Sequence, residues 1–320
     1  MRFPETRFPL VVVVGPTAVG KTALSIDLGK RLDGEIVSAD SRLFYRGMDI
    51  GTAKPSLEER SAVPHHLIDV ADPDETWSLA LFQRAARRAI AGIHARGRLP
   101  ILVGGTGQYV RSVTQEWRLP AQPPDPVLRQ ALENWAGETT TEGLHARLAR
   151  IDPLAAAVIE PRNLRRTIRA LEVIFHTGQR FSSQRQQLPS HYELMQIGLC
   201  RPRAEIYQRV DQRIDAMLQA DLVAEVAGLI AKGYSPDLPA FSAIGYREVI
   251  AYLRGEYSIE ECILLMKRAT HQFVRRQANW FKETDPSIHW FSIRDDDPTT
   301  LNRVIDQILL GEWLDPADGR

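Results

Sequence analysis

Val11-Val12-Val13-Val14-Gly15-Pro16-Thr17-Ala18-Val19-Gly20-Lys21-Thr22 decides the fold of this 320-residue chain. Four β-branched residues in a row read as a strand buried on both faces. Gly15-x-x-x-x-Gly20-Lys21-Thr22 then fills every fixed position of a phosphate-binding loop. Glycines let the backbone take positive φ and approach a ligand with no Cβ in the way. The loop's N–H groups and the start of the next helix form a nest for anionic oxygens. Lys21 adds a positive charge for terminal phosphate oxygens, and Thr22 offers a hydroxyl to Mg²⁺. The plainer reading, a glycine turn between strand and helix, is disfavoured because the flanking patterns match the motif's context. The signal specifies a bound di- or triphosphate, not yet a reaction.

The length suggests about two domains, and 44% hydrophobic residues suffice for a real core. Basic and acidic residues balance at 40 each, so any nucleic-acid surface must be local. Cys200 and Cys262 have no second Cys or His at metal-ligand spacing, which fits a reduced, cytoplasmic protein. No run approaches the ~20 apolar residues of a membrane span, and no secretory segment is visible. Strand patterns at Glu35–Ser38, His66–Ile68 and Pro100–Val103 alternate with helical ones at Thr22–Leu32 and Trp77–Arg96, which predicts a parallel sheet. Four prolines within residues 119–126 break it. Only helical patterns follow, at Val127–Trp135, Thr141–Arg150 (Thr141 as N-cap), Pro153–Ile159 and Leu164–His176, until a strand pattern returns at Glu193–Leu199. The expected fold is α/β: a P-loop NTPase-like parallel sheet core with an inserted all-helical domain. The core takes residues 1–117 and 192–320, with further helices at Ala204–Gln219, Leu222–Ala231, Ile259–Phe281 and Thr300–Leu310. The insertion takes 118–191.

Asp40 ends the second strand on the edge shared with the phosphate loop, so it should face the same crevice as a base or as a water-mediated Mg²⁺ ligand. The competing reading is a loop Asp that caps a turn. Gly104-Gly105-Thr106-Gly107 ends another strand at that edge, either as a tight strand-to-helix turn or to bring a small hydroxyl near a ligand. No Asp ends the Ile101–Val103 strand, which weakens an ATPase reading. Arg162, Arg165, Arg166 and Arg169 fall on one helix face, and Arg268, His271, Arg275 and Arg276 form a second stripe. Either is a solvated face or a polyanion surface; two in a neutral chain favour the polyanion. Arg209 and Arg213 are placed to reach the phosphate site.

Several segments together resemble the bacterial tRNA dimethylallyltransferase (IPP transferase) family: the phosphate loop, Asp40-Ser41, Tyr45–Pro55, Val63–Asp69, Gly104-Gly105-Thr106-Gly107-x-Tyr109, Arg169–Val173, Ala243–Glu248 and Arg275-Arg276-Gln277-x-x-Trp280-Phe281. The match runs through nearly the whole chain, and Asp49–Pro55 is its most specific part. The resemblance implies transfer of a dimethylallyl group from dimethylallyl diphosphate to N6 of the adenine at tRNA position 37, with Mg²⁺. It implies that residues Gly15 to Thr22 and Arg213 hold the diphosphate. Asp40 is then the base, Thr106 orients the reacting groups, and Lys21 neutralises charge. Implied tRNA contacts are Asp40, Ser41, Arg42, Leu43, Thr106, Arg129, Arg165, Arg166, Thr167, Ile168, Arg169, Phe241, Ser242, Ala243, Ile244, Gly245 and Tyr246. The insertion would grip the anticodon stem-loop. The family is also commonly described as ATP-binding. The expected state is a cytoplasmic monomer away from membranes. Leu43, Gln108 and His271 stand where the family usually has Gln, Leu and often Arg.

Two other classes share the phosphate loop: a small-molecule or nucleotide kinase with the insertion as its lid, and a nucleotide-driven RNA-binding switch without chemistry. Prenyl transfer to tRNA, phosphoryl transfer to a small acceptor, or nucleotide-dependent RNA binding alone separates the three.

Overall fold

A computed structural model describes residues 8–119, 125–184, 190–294 and 299–311. The chain divides into two compact units: Met1–Trp77, Leu81–Thr114 and Pro189–Arg320 form one, and Ser78–Ala80 with Gln115–Leu188 the other. In the first, β1 (Pro9–Val14), β2 (Gly34–Ser38), β3 (His65–His66), β4 (Leu99–Gly104), β5 (Glu193–Cys200) and β6 (His289–Ser292) form one sheet in the order β3-β2-β4-β1-β5-β6. Every pairing is parallel. The valine run puts β1 at the centre, where Val11 to Val14 are fully buried between β4 and β5. The register pairs Val14 with Gly104 and with Gly198, so the phosphate loop, the end of β4 and the end of β5 leave the sheet at one edge.

The Lys21–Leu32 and Thr299–Leu310 helices cover one part of that sheet, closing a core with Leu28, Ile101, Ile197, Leu199 and Val304. A second core in the same unit gathers Met48, Tyr45 and the helices Arg203–Gln219, Leu222–Ala231, Tyr246–Leu253 and Ile259–Ala278.

Two local expectations are corrected, and two elements were not anticipated. β3 stops at His66 because Leu67 and Asp69 take φ of 63° and 55°, which no extended ladder tolerates. The four-residue β6 and the Gly107–Thr114 helix have no sequence pattern long enough to announce them. Thr140, not Thr141, caps the Thr141–Ile151 helix, its hydroxyl accepting the Gly143 N–H at 3.1 Å.

The second unit packs the helices Pro126–Thr139, Thr141–Ile151, Pro153–Val158 and Leu164–Thr177 around Leu132, Leu144, Leu148 and Leu171. Residues 120–124 of the proline-rich stretch lie outside the described residues.

Candidate active site and nucleic-acid interface

At the carboxyl edge of the sheet a cavity of about 270 Å³ is lined by Thr17, Ala18, Gly20, Lys21 and Thr22 from the phosphate loop, Asp40 and Leu43 after β2, Gly104 and Gly105 after β4, and Arg209 and Arg213. Three strand ends meet there because their backbones approach closely. A Cβ on Gly104 would lie 2.7 Å from the Ala39 carbonyl oxygen. The Ala39 N–H donates to the Val103 carbonyl at 2.8 Å, which carries the β2 strand's pairing on to the residue before Asp40.

Lys21 is half-buried, and its ammonium donates to the Gly15 and Pro16 carbonyls at 3.0 and 2.7 Å. Burial pushes its pKa down to about 8; the Asp40 charge works against that shift and the Arg213 charge adds to it. At the start of a helix the first N–H groups have no intrahelical acceptor. Thr22 is exposed there. The loop is braced from behind: Arg209 Nε donates to the Ala18 carbonyl and Arg201 Nε to the Val19 carbonyl, both at 3.0 Å. Arg209 and Arg213 both line the cavity. Arg201 was not visible in the sequence, because nothing local marks a buried arginine 182 positions away.

Asp40 is half-buried in the cavity wall. It also accepts the Arg42 N–H at 3.0 Å, so the turn-capping reading is part of its role. Thr106 is not in the wall itself: it follows Gly105 and starts the Gly107–Thr114 helix, its carbonyl accepting the Tyr109 N–H at 2.9 Å. Ser41 hydrogen-bonds Tyr109, whose hydroxyl burial pushes up to about 12. Arg42 turns away from the cavity. Its guanidinium donates to the Pro239 and Ala240 carbonyls and, at 3.2 Å, to the Ser242 hydroxyl. Leu43 joins Ile36, Ile68 and Val103 as the apolar part of the wall.

The segment that sets this chain apart most, Asp49–Pro55, brings Thr52, Ala53 and Pro55 to the same cavity. It is pinned rather than loose. Glu225 accepts the N–H groups of Asp49, Ile50 and Gly51 at 2.9, 2.7 and 3.2 Å, and the Tyr246 hydroxyl as well. The Lys54 ammonium, 1% exposed, donates to the Tyr45 carbonyl at 2.8 Å and pairs with Asp69 at 2.6 Å and with Asp49. Sequence reasoning assigned neither Glu225 nor Lys54 a role.

Several expected tRNA contacts are corrected. Phe241, Ala243 and Tyr246 are 2%, 3% and 0% exposed in the helical core, so their side chains are unavailable to a partner. Gly245 is also buried; Ser242 is exposed and Ile244 half-buried. In the second unit Thr167 and Ile168 are buried, while Arg165 and Arg166 are exposed. Arg169 and Arg129 both pair with Glu172, at 2.9 and 3.1 Å. That carboxyl is fully buried. Burial works to raise it, and hydrogen bonds from Arg169 and the Asp125 N–H, with the Arg129 charge, hold it below its ordinary value. Arg162 precedes the Leu164–Thr177 helix, so the four-arginine face is shorter than expected. In the other stripe His271 stacks on Tyr207 (4.1 Å between ring centres) and bonds Asp211 at 2.9 Å; the neighbouring Lys267 pairs with Asp215.

The residues fit Mg²⁺. The Thr22 hydroxyl and the Asp40 carboxylate are hard oxygens in the wall of one cavity, and this ion binds through one or two such groups with phosphates and waters. Among the described residues no group of three or more His, Cys, Asp or Glu forms a protein-only metal cage. No helix among them is long and apolar enough to cross a membrane.

The family model described as IPP transferase matches residues 43–284. A relative from Roseiflexus sp. (strain RS-1), named tRNA dimethylallyltransferase, is 55% identical over 274 residues, covering 86% of this chain and 90% of its own. One of the same name from Thermomicrobium roseum is 49% identical over 287 residues, covering 90% and 87%. Among solved structures, the full-length tRNA isopentenylpyrophosphate transferase of Bacillus halodurans is 43% identical with a TM-score of 0.70, covering 94% of this chain and 95% of that one. A eukaryotic dimethylallyltransferase acting on tRNA is 27% identical with a TM-score of 0.78, covering 93% and 77%.

Proposed function

The chain belongs to the IPP transferase family, and from that premise we propose that it transfers a dimethylallyl group from dimethylallyl diphosphate to N6 of the adenine at tRNA position 37, in the anticodon stem-loop. The observation that carries this is the meeting of a phosphate loop, a carboxylate and an apolar wall in one cavity. The relatives' names favour prenyl transfer over phosphoryl transfer by a kinase. The same names argue against a switch without chemistry.

In this reading the diphosphate lies on the loop, where Lys21, Arg213 and the unpaired N–H groups at the helix start neutralise it as a leaving group. Ile36, Leu43, Ile68 and Val103 hold the prenyl tail. The Thr22 hydroxyl would hold Mg²⁺, which when bound would add charge neutralisation on the diphosphate. The bond from C1 to the diphosphate oxygen breaks as the bond from N6 to C1 forms, and Asp40 takes the N6 proton. Thr106 orients the amine from the start of its helix. The base must leave its stack to reach the cavity. The helical unit of residues 115–188 grips the RNA through Arg165 and Arg166, and the protein acts as a monomer. The test is incubation with dimethylallyl diphosphate and unmodified tRNA, against ATP with small acceptors. A prenylated adenosine next to the anticodon is the expected product; phosphoryl transfer with no such product overturns the reading.

A further inference from the structure

One buried side chain joins the two halves of this site, and the reaction scheme above does not use it. Gln277 is 5% exposed near the end of the Ile259–Ala278 helix. Its Oε1 accepts the Thr17 N–H at 2.9 Å, and its Nε2 donates to the Gly105 carbonyl at 3.1 Å. Thr17 belongs to the phosphate loop, and Gly105 is the residue before Thr106. We propose that Gln277 is a positioning residue for the transfer: its amide fixes the phosphate loop against the turn that carries Thr106.

Chemistry and shape both support this. A carboxamide accepts from an N–H through its oxygen and donates to a carbonyl through its nitrogen without carrying charge. Both partners are backbone groups, and Gln277 and Gly105 are buried, where an unmade hydrogen bond is costly, so the bridge is held. The turn is shaped to receive it. A Cβ on Gly105 would fall 2.2 Å from Gln277 Nε2, and one on Gly107 would fall 2.4 Å from Trp280. Gln277 and Trp280 stand three residues apart, and the Arg111 guanidinium lies 5.6 Å over the Trp280 ring and donates to the Trp280 carbonyl. The segment Arg275-Arg276-Gln277-x-x-Trp280 is thus a buttress for Gly105 and Gly107. It also takes the Thr17 N–H out of the anion nest, leaving the donors from Ala18 onward to the diphosphate.

This rests on the prenyl-transfer reading, in which the diphosphate's carbon and the amine must meet in line. The loop fixes the first and the Thr106 turn guides the second, so slack between them misaligns the attack. A displacement of about 1 Å costs on the order of 10²-fold in rate.

Gln277→Leu keeps volume and removes both bonds. Gln277→Glu, when ionised, still accepts from Thr17 but sets a negative oxygen against the Gly105 carbonyl; when protonated it remakes both bonds. In single turnover with saturating tRNA and dimethylallyl diphosphate, the Leu variant should fall roughly 10- to 100-fold, with the KM for dimethylallyl diphosphate little changed. The Glu variant should be as slow at pH 8 and recover toward wild type as the pH falls to 5, each rate taken relative to wild type at that pH. A purely structural role predicts no such pH-dependent rescue. Amide exchange at Thr17, measured without substrates, should speed up in the Leu variant and stay slow in the Glu variant. Unchanged Thr17 exchange in the Leu variant, a wild-type transfer rate in it, or a Glu variant that does not recover overturns the proposal. If the wild type prenylates no tRNA, the functional reading fails instead, while Thr17 exchange still decides whether the bridge exists.

Discussion

Asp40 accepts the Arg42 N–H at 3.0 Å, a turn-capping bond that fixes its carboxylate in the cavity wall. Asp40→Asn preserves that cap, because an amide oxygen accepts the same N–H. Folding and pyrophosphate binding should therefore survive, while single-turnover prenyl transfer falls by roughly 10²–10⁴-fold. Transfer near the wild-type rate would remove Asp40 from the role of base. Thr106→Ala should lose less, since the threonine orients and accepts no proton; the same assay compares the two. Asp40 was legible because a strand end beside a phosphate loop is a predictable place for chemistry. Gln277 and Glu225 were not. Gln277's partners lie 260 and 172 positions away and the N–H groups Glu225 holds lie 174 to 176 away, and a polar residue in a helix gives no sign of what it will touch.

The Leu164–Thr177 helix separates two kinds of arginine that its sequence presents as one stripe. Arg165 and Arg166 face solvent, whereas Arg169 is committed to Glu172. The Arg165→Ala, Arg166→Ala double variant should weaken tRNA binding and lower its salt slope by about one unit for each phosphate no longer neutralised, with pyrophosphate binding unchanged. Wild-type affinity and slope would make this a solvated face. Arg169→Ala should act on stability instead. Glu172 keeps Arg129 and the Asp125 N–H, so the loss should be about 1–3 kcal/mol, read as a lower urea midpoint. Elements with a strong period or a β-branched run, such as β1 and the long helices, were legible. β3 and β6 were not, being two and four residues long and defined only by the neighbours they pair with.

Across the sheet, the edge away from the cavity has its own charged cluster. Glu35, next to the start of β2 and 2% exposed, accepts a forked pair of bonds from Arg96 at 3.0 and 2.6 Å, and further bonds from Arg98 and His66. The Arg96 hydrogen bond is the main cause that takes its carboxyl from 4.5 to about 2. The folded state therefore prefers the ionised form. Its contribution is complete above about pH 4.5 and shrinks as the pH falls toward 2, by on the order of 3 kcal/mol in all. Urea unfolding at pH 7 and pH 3 should show this acid-side loss, and Glu35→Gln should flatten it; an equal loss in the variant would assign it elsewhere. Acid thus acts on the scaffold at the edge away from the cavity. The clamp that Glu225 places on Asp49, Ile50 and Gly51 has a further consequence, one of time. The clamped residues leave the ribosome 174 to 176 positions before the residue that holds them. At about 5–20 residues per second, that leaves the segment without its anchor for roughly 10–35 s of synthesis. The phosphate loop waits longer still, for Gln277. A nascent chain carries the most recognisable part of its active site for most of its synthesis before that part has the shape to work.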